Sequence, residues 1–381
     1  MVTNVATYGF QIVAARLLGP GEFGSVASMM ALLLVVGVVQ LGLQATAARR
    51  VSGDVASSRE IERTVLALTY RASALVGVVM LVASPLVWQL LRLDSIVPAL
   101  LVAVCSVPLS IMGGQAGVLQ GERRWLSLAI VYLALGVPRL VLGAAFIWVR
   151  PTETFAIAGV TVAQFVPAVA GYLALRRRDR APVRLALRPV AKELFAGSVT
   201  LLGYFVISNV DIVVARNVLD DHASGLYAGG LILTKAVLFL PQFVVVIAFP
   251  SLASDASRRL ALLKALGLVG ALGVVAVLGA WLLSGVALVF VGGGEYSDVQ
   301  HRLWIFAVLG TLLAVLQVLV YSDLAQRSRA STYALWIAVL AVLALGSQQS
   351  SVTGLVWTVT CIDALLVAVL TGITWRRLRK P

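Results

Sequence analysis

Charge is what this chain has least of. Asp, Glu, Lys and Arg make up 12% of its 381 residues and 60% are hydrophobic, whereas a soluble domain carries about 25% charged residues. A series of water-soluble domains is therefore excluded. Cysteine is nearly absent. Cys105 and Cys361 both fall in apolar runs with no Cys or His at ligand spacing, so neither a disulfide framework nor a metal site is expected. The two histidines, His222 and His301, stand alone, and no Ser/His/Asp constellation accompanies them. No Gly-rich phosphate loop opens a helix, so the chain has no ATP-hydrolysing motif and no cofactor is expected. Strict apolar/polar alternation is missing too, which excludes an outer-membrane barrel.

What the chain has instead is a series of continuous apolar runs near the ~20 residues that a bilayer-spanning helix needs. They place about a dozen spans at 2–17, 24–48, 64–91, 96–118, 125–149, 154–175, 194–217, 226–249, 261–291, 300–325, 330–347 and 352–375. The first is short and carries no basic residue before Arg16, which leads to the expectation of a longer natural N-terminus. The fold class expected is an all-α integral membrane protein of about 12 transmembrane helices, in two six-helix lobes around a central cavity. The lobes are 1–175 and 194–381, and a basic linker at 176–193 with Pro182 and Pro189 divides them.

The net charge of +13 does not point to nucleic acid, because the basic residues lie between apolar runs rather than on one soluble face. With the N-terminus inside, 22 of the 30 Lys and Arg fall in inner segments, and only Arg16, Arg92, Arg150, Arg216 and Arg302 fall in outer turns. The bias puts both termini in the cytoplasm of a multi-pass inner-membrane protein and offers its basic turns to anionic lipids.

Charges inside spans are expensive and mark pathways or pairs. Arg139 and Lys235 lie about ten residues, ~15 Å, from the outer ends of their helices, and Asp211 about six residues, ~9 Å. Arg71 is nearer the inner face, where a snorkelling anchor is as good a reading as a ligand. Asp211 and Lys235 sit on sequential antiparallel helices at similar depth. One reading makes them a structural ion pair; the other makes Lys235 and Arg139 ligands of an anionic headgroup, with Asp211 holding Lys235 until substrate competes. Polar residues recur at helical spacing: Thr200, Tyr204, Ser208 and Asp211; Gln40 and Gln44; Lys235 and Gln242; Gln317 and Tyr321. Such stripes either bridge helices or line a hydrated cavity able to bind sugar hydroxyls. Asp363, near Thr360, is a candidate ion-coupling site or an interhelical polar residue.

Several short segments carry a family resemblance. Asp211-Ile-Val-Val-Ala-Arg216, Ala223-Ser224-Gly225-Leu226-Tyr227-Ala228, Phe239-Leu240-Pro241 and Phe249-Pro250-Ser251 resemble the middle of polysaccharide-biosynthesis flippases. Ala15-Arg16-Leu17-Leu18-Gly19-Pro20-Gly21-Glu22-Phe23-Gly24, Gln120-Gly121-Glu122-Arg123-Arg124 and Gly294-Glu295-Tyr296 resemble turns of the same family, in the same order. These are the O-antigen-type, lipid-linked oligosaccharide translocases of the multidrug/oligosaccharidyl-lipid/polysaccharide exporter superfamily. The resemblance implies a transporter rather than an enzyme. It would flip a lipid-diphosphate-linked glycan from the inner to the outer leaflet by alternating access, and a glycan polymerase and glycosyltransferases would be its partners. Two other readings stand beside it. A drug/cation antiporter of the same superfamily would favour an acid-dominated cavity. A glycan polymerase or ligase would need an extended outer loop, which the short outer turns do not supply.

The charge bias makes a topological prediction. A single cysteine at Ala181 should resist an impermeant maleimide added from outside, and one at Gly293 should react. The opposite pattern would invert the assignment.

Overall fold

In the computed structural model the described residues are 2–53, 58–176, 199–239, 258–324 and 329–378, and all their regular structure is helical. The helices are α1 (Val2–Gly53), α2 (Ser58–Leu90), α3 (Ile96–Gly121), α4 (Trp125–Val149) and α5 (Glu153–Leu175). They continue with α6 (Val199–Ile207) and α7 (Val210–Val218), then α8 (Asp221–Phe239), α9 (Arg258–Leu282) and α10 (Ser284–Val291). A 3-10 turn at Gly294–Arg302 precedes α11 (Leu303–Leu324), α12 (Arg329–Gly346) and α13 (Val352–Leu378).

At 52 residues α1 would be ~78 Å long, more than twice a bilayer's ~30 Å hydrocarbon core, so it holds two spans. They meet at Gly19, whose φ of 70° and ψ of 173° are open to glycine and strained for other residues, with Pro20 next in line. The sequence suggested a turn over 18–23; the structure confines the non-helical backbone to Gly19. Two other spans read as continuous are broken. The span over 194–217 is α6 and α7, bent by 41°, and 261–291 is interrupted at Leu283 (φ −112°, ψ 41°). Gln242 and the linker beyond Arg176 lie outside the described residues. The apolar surface is turned outward: Val82 on α2 is 77% exposed and Trp148 on α4 is 81% exposed. Water would not tolerate a surface of this kind over whole helices, but lipid does. The chain is a multi-pass membrane protein.

The chain forms two compact units, Met1–Leu18 with Met29–Val199, and Gly19–Ser28 with Thr200–Pro381. The sequence boundaries did not anticipate that ten residues of the first hairpin belong to the second unit. In the first unit, α3 packs on α2 and α5, and α4 on α5. The second span of α1 meets α3 backbone to backbone. A Cβ at Gly113 would overlap the Gln40 carbonyl, one at Gly117 the Gln44 carbonyl, and one at Gly121 would lie 2.9 Å from the Ala48 carbonyl. Glycines at i, i+4 and i+8 thus face residues at the same spacing on the partner. This is the small-residue contact that replaces hydrophobic driving force between helices in lipid. These glycines serve close packing and not kinking.

In the second unit α11 is the central helix, packed on α8, α9 and α13, while α12 packs on α13 and α7. Three of the short family-like segments converge here. The Pro20 carbonyl fills the space a Cβ at Gly225 would need, and Gly24 lies against Ser224 and Gly225. Phe23 meets Tyr296 edge-on at 6.5 Å, and Tyr296 in turn covers Gly229 and Gly292. Arg216, expected in an outer turn, is instead 2% exposed and donates to Asp221 and Ser224, both at 3.1 Å. Closing the tight α7–α8 turn draws the guanidinium inward to those partners.

The Gly113 contact sets an expectation for stability. Gly113→Ala should destabilise the detergent-solubilised protein by about 1–3 kcal/mol, because a backbone carbonyl cannot step aside. Gly270→Ala, with nothing within 4 Å of the added Cβ, should be neutral or stabilising by up to about 1 kcal/mol. Thermal melting of the two variants checks the contrast.

Candidate functional site

Two groups of buried polar side chains stand out, one in each unit. In the first unit Arg139 follows Pro138 on α4, and its Nη2 donates to Gln164 Oε1 on α5 at 2.8 Å. That bond fixes the amide so that Gln164 Nε2 points away as a donor. Gln164 Nε2 and Arg139 Nε are both buried without a partner. Each such donor costs about 1–3 kcal/mol until something accepts from it. Among the described residues no carboxylate pairs with Arg139, so its charge is uncompensated. Gln115, 1% exposed, adds an unpartnered Oε1 to the unit's buried polar groups. Thr161 on α5 bonds the Leu101 carbonyl and thereby ties α5 to α3.

Gln40 and Gln44 do not belong to this donor set. Gln40 donates to Met112 Sδ at 3.4 Å, and Gln44 to Tyr132 at 2.7 Å and Gln120 at 3.0 Å. The close approach of α1 to α3 aims them across the helix interface, so they bridge helices. Arg71 is exposed on α2 and outside both clusters, as an anchor would be.

In the second unit the cluster surrounds the break between α6 and α7. Lys235 on α8 donates to the Ser208 carbonyl and to Asn209 Oδ1, the latter at 3.0 Å. Asp211 accepts from its neighbour Ile212 N–H at 2.9 Å and from Tyr227 at 3.0 Å. The direct Asp211–Lys235 ion pair, one of the two readings of the sequence, is not formed; each charge bonds backbone at the break instead. The stripe Thr200, Tyr204, Ser208 and Asp211 is correspondingly not one helix face. Thr200 hydrogen-bonds Thr332 on α12 at 2.6 Å, Tyr204 reaches the Leu313 carbonyl at 3.5 Å, and Ser208 bonds back to the Tyr204 carbonyl. The bend turns the two ends of the stripe apart.

Asp363 on α13 is fully buried, and neither carboxylate oxygen has a hydrogen-bond partner. It lies within electrostatic range of Asp211 and Lys235. Gln317 on α11, 8% exposed, also has an unpartnered Oε1. The second unit therefore offers unpartnered acceptors, and the Arg139–Gln164 pair in the first offers unpartnered donors.

The sequence singles out Arg139, Lys235, Asp211 and Asp363, which lie in these two groups, but not Gln164, Asn209 and Tyr227, which lie beside them. A signal for Gln164 was available. Arg139 lies about ten residues from the end of α4 and Gln164 about eleven from the start of α5, so the hairpin sets them at one depth.

The fold is similar to that of solved transporters. An inward-facing multidrug resistance MATE family transporter of the MOP superfamily aligns with a TM-score of 0.79 at 13% identity, over 99% of this chain and 94% of that one. The eukaryotic MATE transporter AtDTX14 aligns with a TM-score of 0.70 at 12% identity, over 97% and 92%. A MOP superfamily transporter from Pyrococcus furiosus aligns with a TM-score of 0.69 at 13% identity, over 99% and 92%. At these identities the likeness is one of fold. Comparison with curated proteins finds no match. The family profile described as polysaccharide biosynthesis protein matches residues 1–254. On that match the chain belongs to the polysaccharide biosynthesis protein family.

Proposed function

We propose that the chain is a flippase that moves a lipid-diphosphate-linked glycan intermediate from the inner to the outer leaflet of the cytoplasmic membrane by alternating access. The observation that carries this reading is the Arg139–Gln164 donor pair. A buried guanidinium clamped by a neutral amide, with donors left over and no carboxylate beside it among the described residues, suits an anion with several acceptor oxygens. A diphosphate has that chemistry, and a glycan-bearing lipid is a carrier in keeping with membership of a polysaccharide biosynthesis family. The sugar end would be met by hydroxyl and amide groups, which are plentiful inside both units.

Asp363 supports a second reading, a drug/cation antiporter, because an unpartnered buried carboxylate attracts cations. In the proposed flippase Asp363 is instead the ion-coupling group: it takes a proton or a monovalent cation, and Lys235 and Asp211 set the local charge.

Substitutions separate the two readings. Arg139→Ala should weaken binding of farnesyl diphosphate on the order of 100-fold, the loss of about 3 kcal/mol of charge-assisted bonding, and abolish glycan export while protein level is kept. Arg139→Lys should restore only part, since a point charge lacks the fork. Gln164→Glu should resemble Arg139→Ala, because a carboxylate would neutralise the guanidinium. The antiporter reading expects a different pattern: these variants would leave organic-cation efflux intact, and Asp363→Asn alone would abolish it. Purified protein in nanodiscs and export complementation supply the measurements.

A further inference from the structure

In an unbroken helix the Ser208 carbonyl would accept from the Ile212 N–H, four residues on. Here that one backbone bond is divided between two side chains. The Ile212 N–H goes to Asp211 Oδ1 at 2.9 Å, and the Ser208 carbonyl takes the Lys235 ammonium. The neighbouring groups hold the same arrangement. Asn209 Oδ1 accepts a second bond from Lys235 at 3.0 Å, and Asn209 Nδ2 is tied back to the Phe205 carbonyl at 2.7 Å. Tyr227 holds the other Asp211 oxygen. The chain bends by 41° at this point although neither glycine nor proline lies between Val199 and Val218 except Gly203, a full turn away from the break.

We infer that Asp211 and Lys235 are a split cap: positioning residues that hold the span from Val199 to Val218 broken, so that an anionic headgroup drawing Lys235 away loosens the break. With Lys235 engaged elsewhere, the Ser208 carbonyl is left buried without a partner, because Asp211 still holds the Ile212 N–H. The headgroup's charge is thereby converted into a loosening of the α6–α7 break in the second unit. This release step rests on the diphosphate reading of the substrate; the cap itself does not.

The cap and a simple ion pair predict different rescues of Lys235→Met. Lys235→Met alone should lower the melting temperature, because it strands the Ser208 carbonyl. Adding Asp211→Ala frees the Ile212 N–H to meet that carbonyl. The double variant should melt above Lys235→Met, with amide exchange over residues 205–214 slowed about 5- to 10-fold relative to the unaltered protein. Adding Asp211→Asn should not rescue, since the Asn oxygen still occupies the Ile212 N–H. Equal rescue by both double variants would overturn the cap in favour of an ion pair, and rescue by neither would overturn both. Each comparison is internal to one purified preparation, so a weakly folding single variant does not blunt it. For the release step, farnesyl diphosphate should speed exchange over 205–214 in the unaltered protein and farnesol should not. Bound farnesyl diphosphate without that acceleration would overturn release. Absence of binding would overturn the proposed function and release together, while the variant series still decides the cap.

Discussion

The hydrocarbon interior of a bilayer supplies no hydrogen-bond partner, so each backbone N–H and C=O of this chain must find one within the protein. Helices solve that problem everywhere except at their interruptions, and the interruptions are where the chemistry collects. At Gly19 the chain leaves helical backbone for one residue and then resumes. At Ser208 and Asn209 it does so with two ionisable side chains standing in for a missing backbone bond. The same constraint explains the glycines of α3. Once each helix satisfies its own backbone, neighbours are held by close contact, and Gly113, Gly117 and Gly121 bring two backbones as near as they can come.

Much of the fold was legible because the constraint writes itself into composition. An apolar run that must cross ~30 Å cannot be hidden, and the expected spans over 64–91, 96–118, 125–149, 154–175 and 352–375 correspond to α2, α3, α4, α5 and α13. The breaks were not legible. Residues 199–218 carry an unbroken apolar background, and Ser208-Asn209 is a weak turn signal that a membrane helix normally absorbs through its neighbours. Lys235, which bonds both residues of the break, lies 26 residues beyond Asn209, and no local pattern announces a partner at that distance.

The site divides in the same way. Arg139, Lys235, Asp211 and Asp363 stood out because charge in an apolar run is costly whatever surrounds it. What each one touches did not follow from that cost. Asp211 and Lys235 share a locality without sharing a bond, because backbone groups at the break outcompete each for the other. Gln40 and Gln44 looked like cavity residues by spacing, yet the glycine contact presses their helix against α3 and uses their amides as cross-links. Gln164 drew no notice because a neutral amide in a span is common, and it gains meaning only from the guanidinium opposite.

The exchange of Gly19–Ser28 into the second unit bears on the order in which the molecule is completed. Those residues are made long before their seat, which is built from Ser224, Gly225 and Tyr296. At a synthesis rate of roughly 5–20 residues per second, Gly225 follows Pro20 by roughly 10–40 s. Throughout that interval the first hairpin is in the bilayer with its turn unseated. Gly19, Pro20, Gly21 and Gly24 offer little side chain to bind anything else meanwhile, and Phe23 can rest in lipid. That turn thus waits for residues of the second unit before it can settle, and the second half made on its own would leave that seat empty.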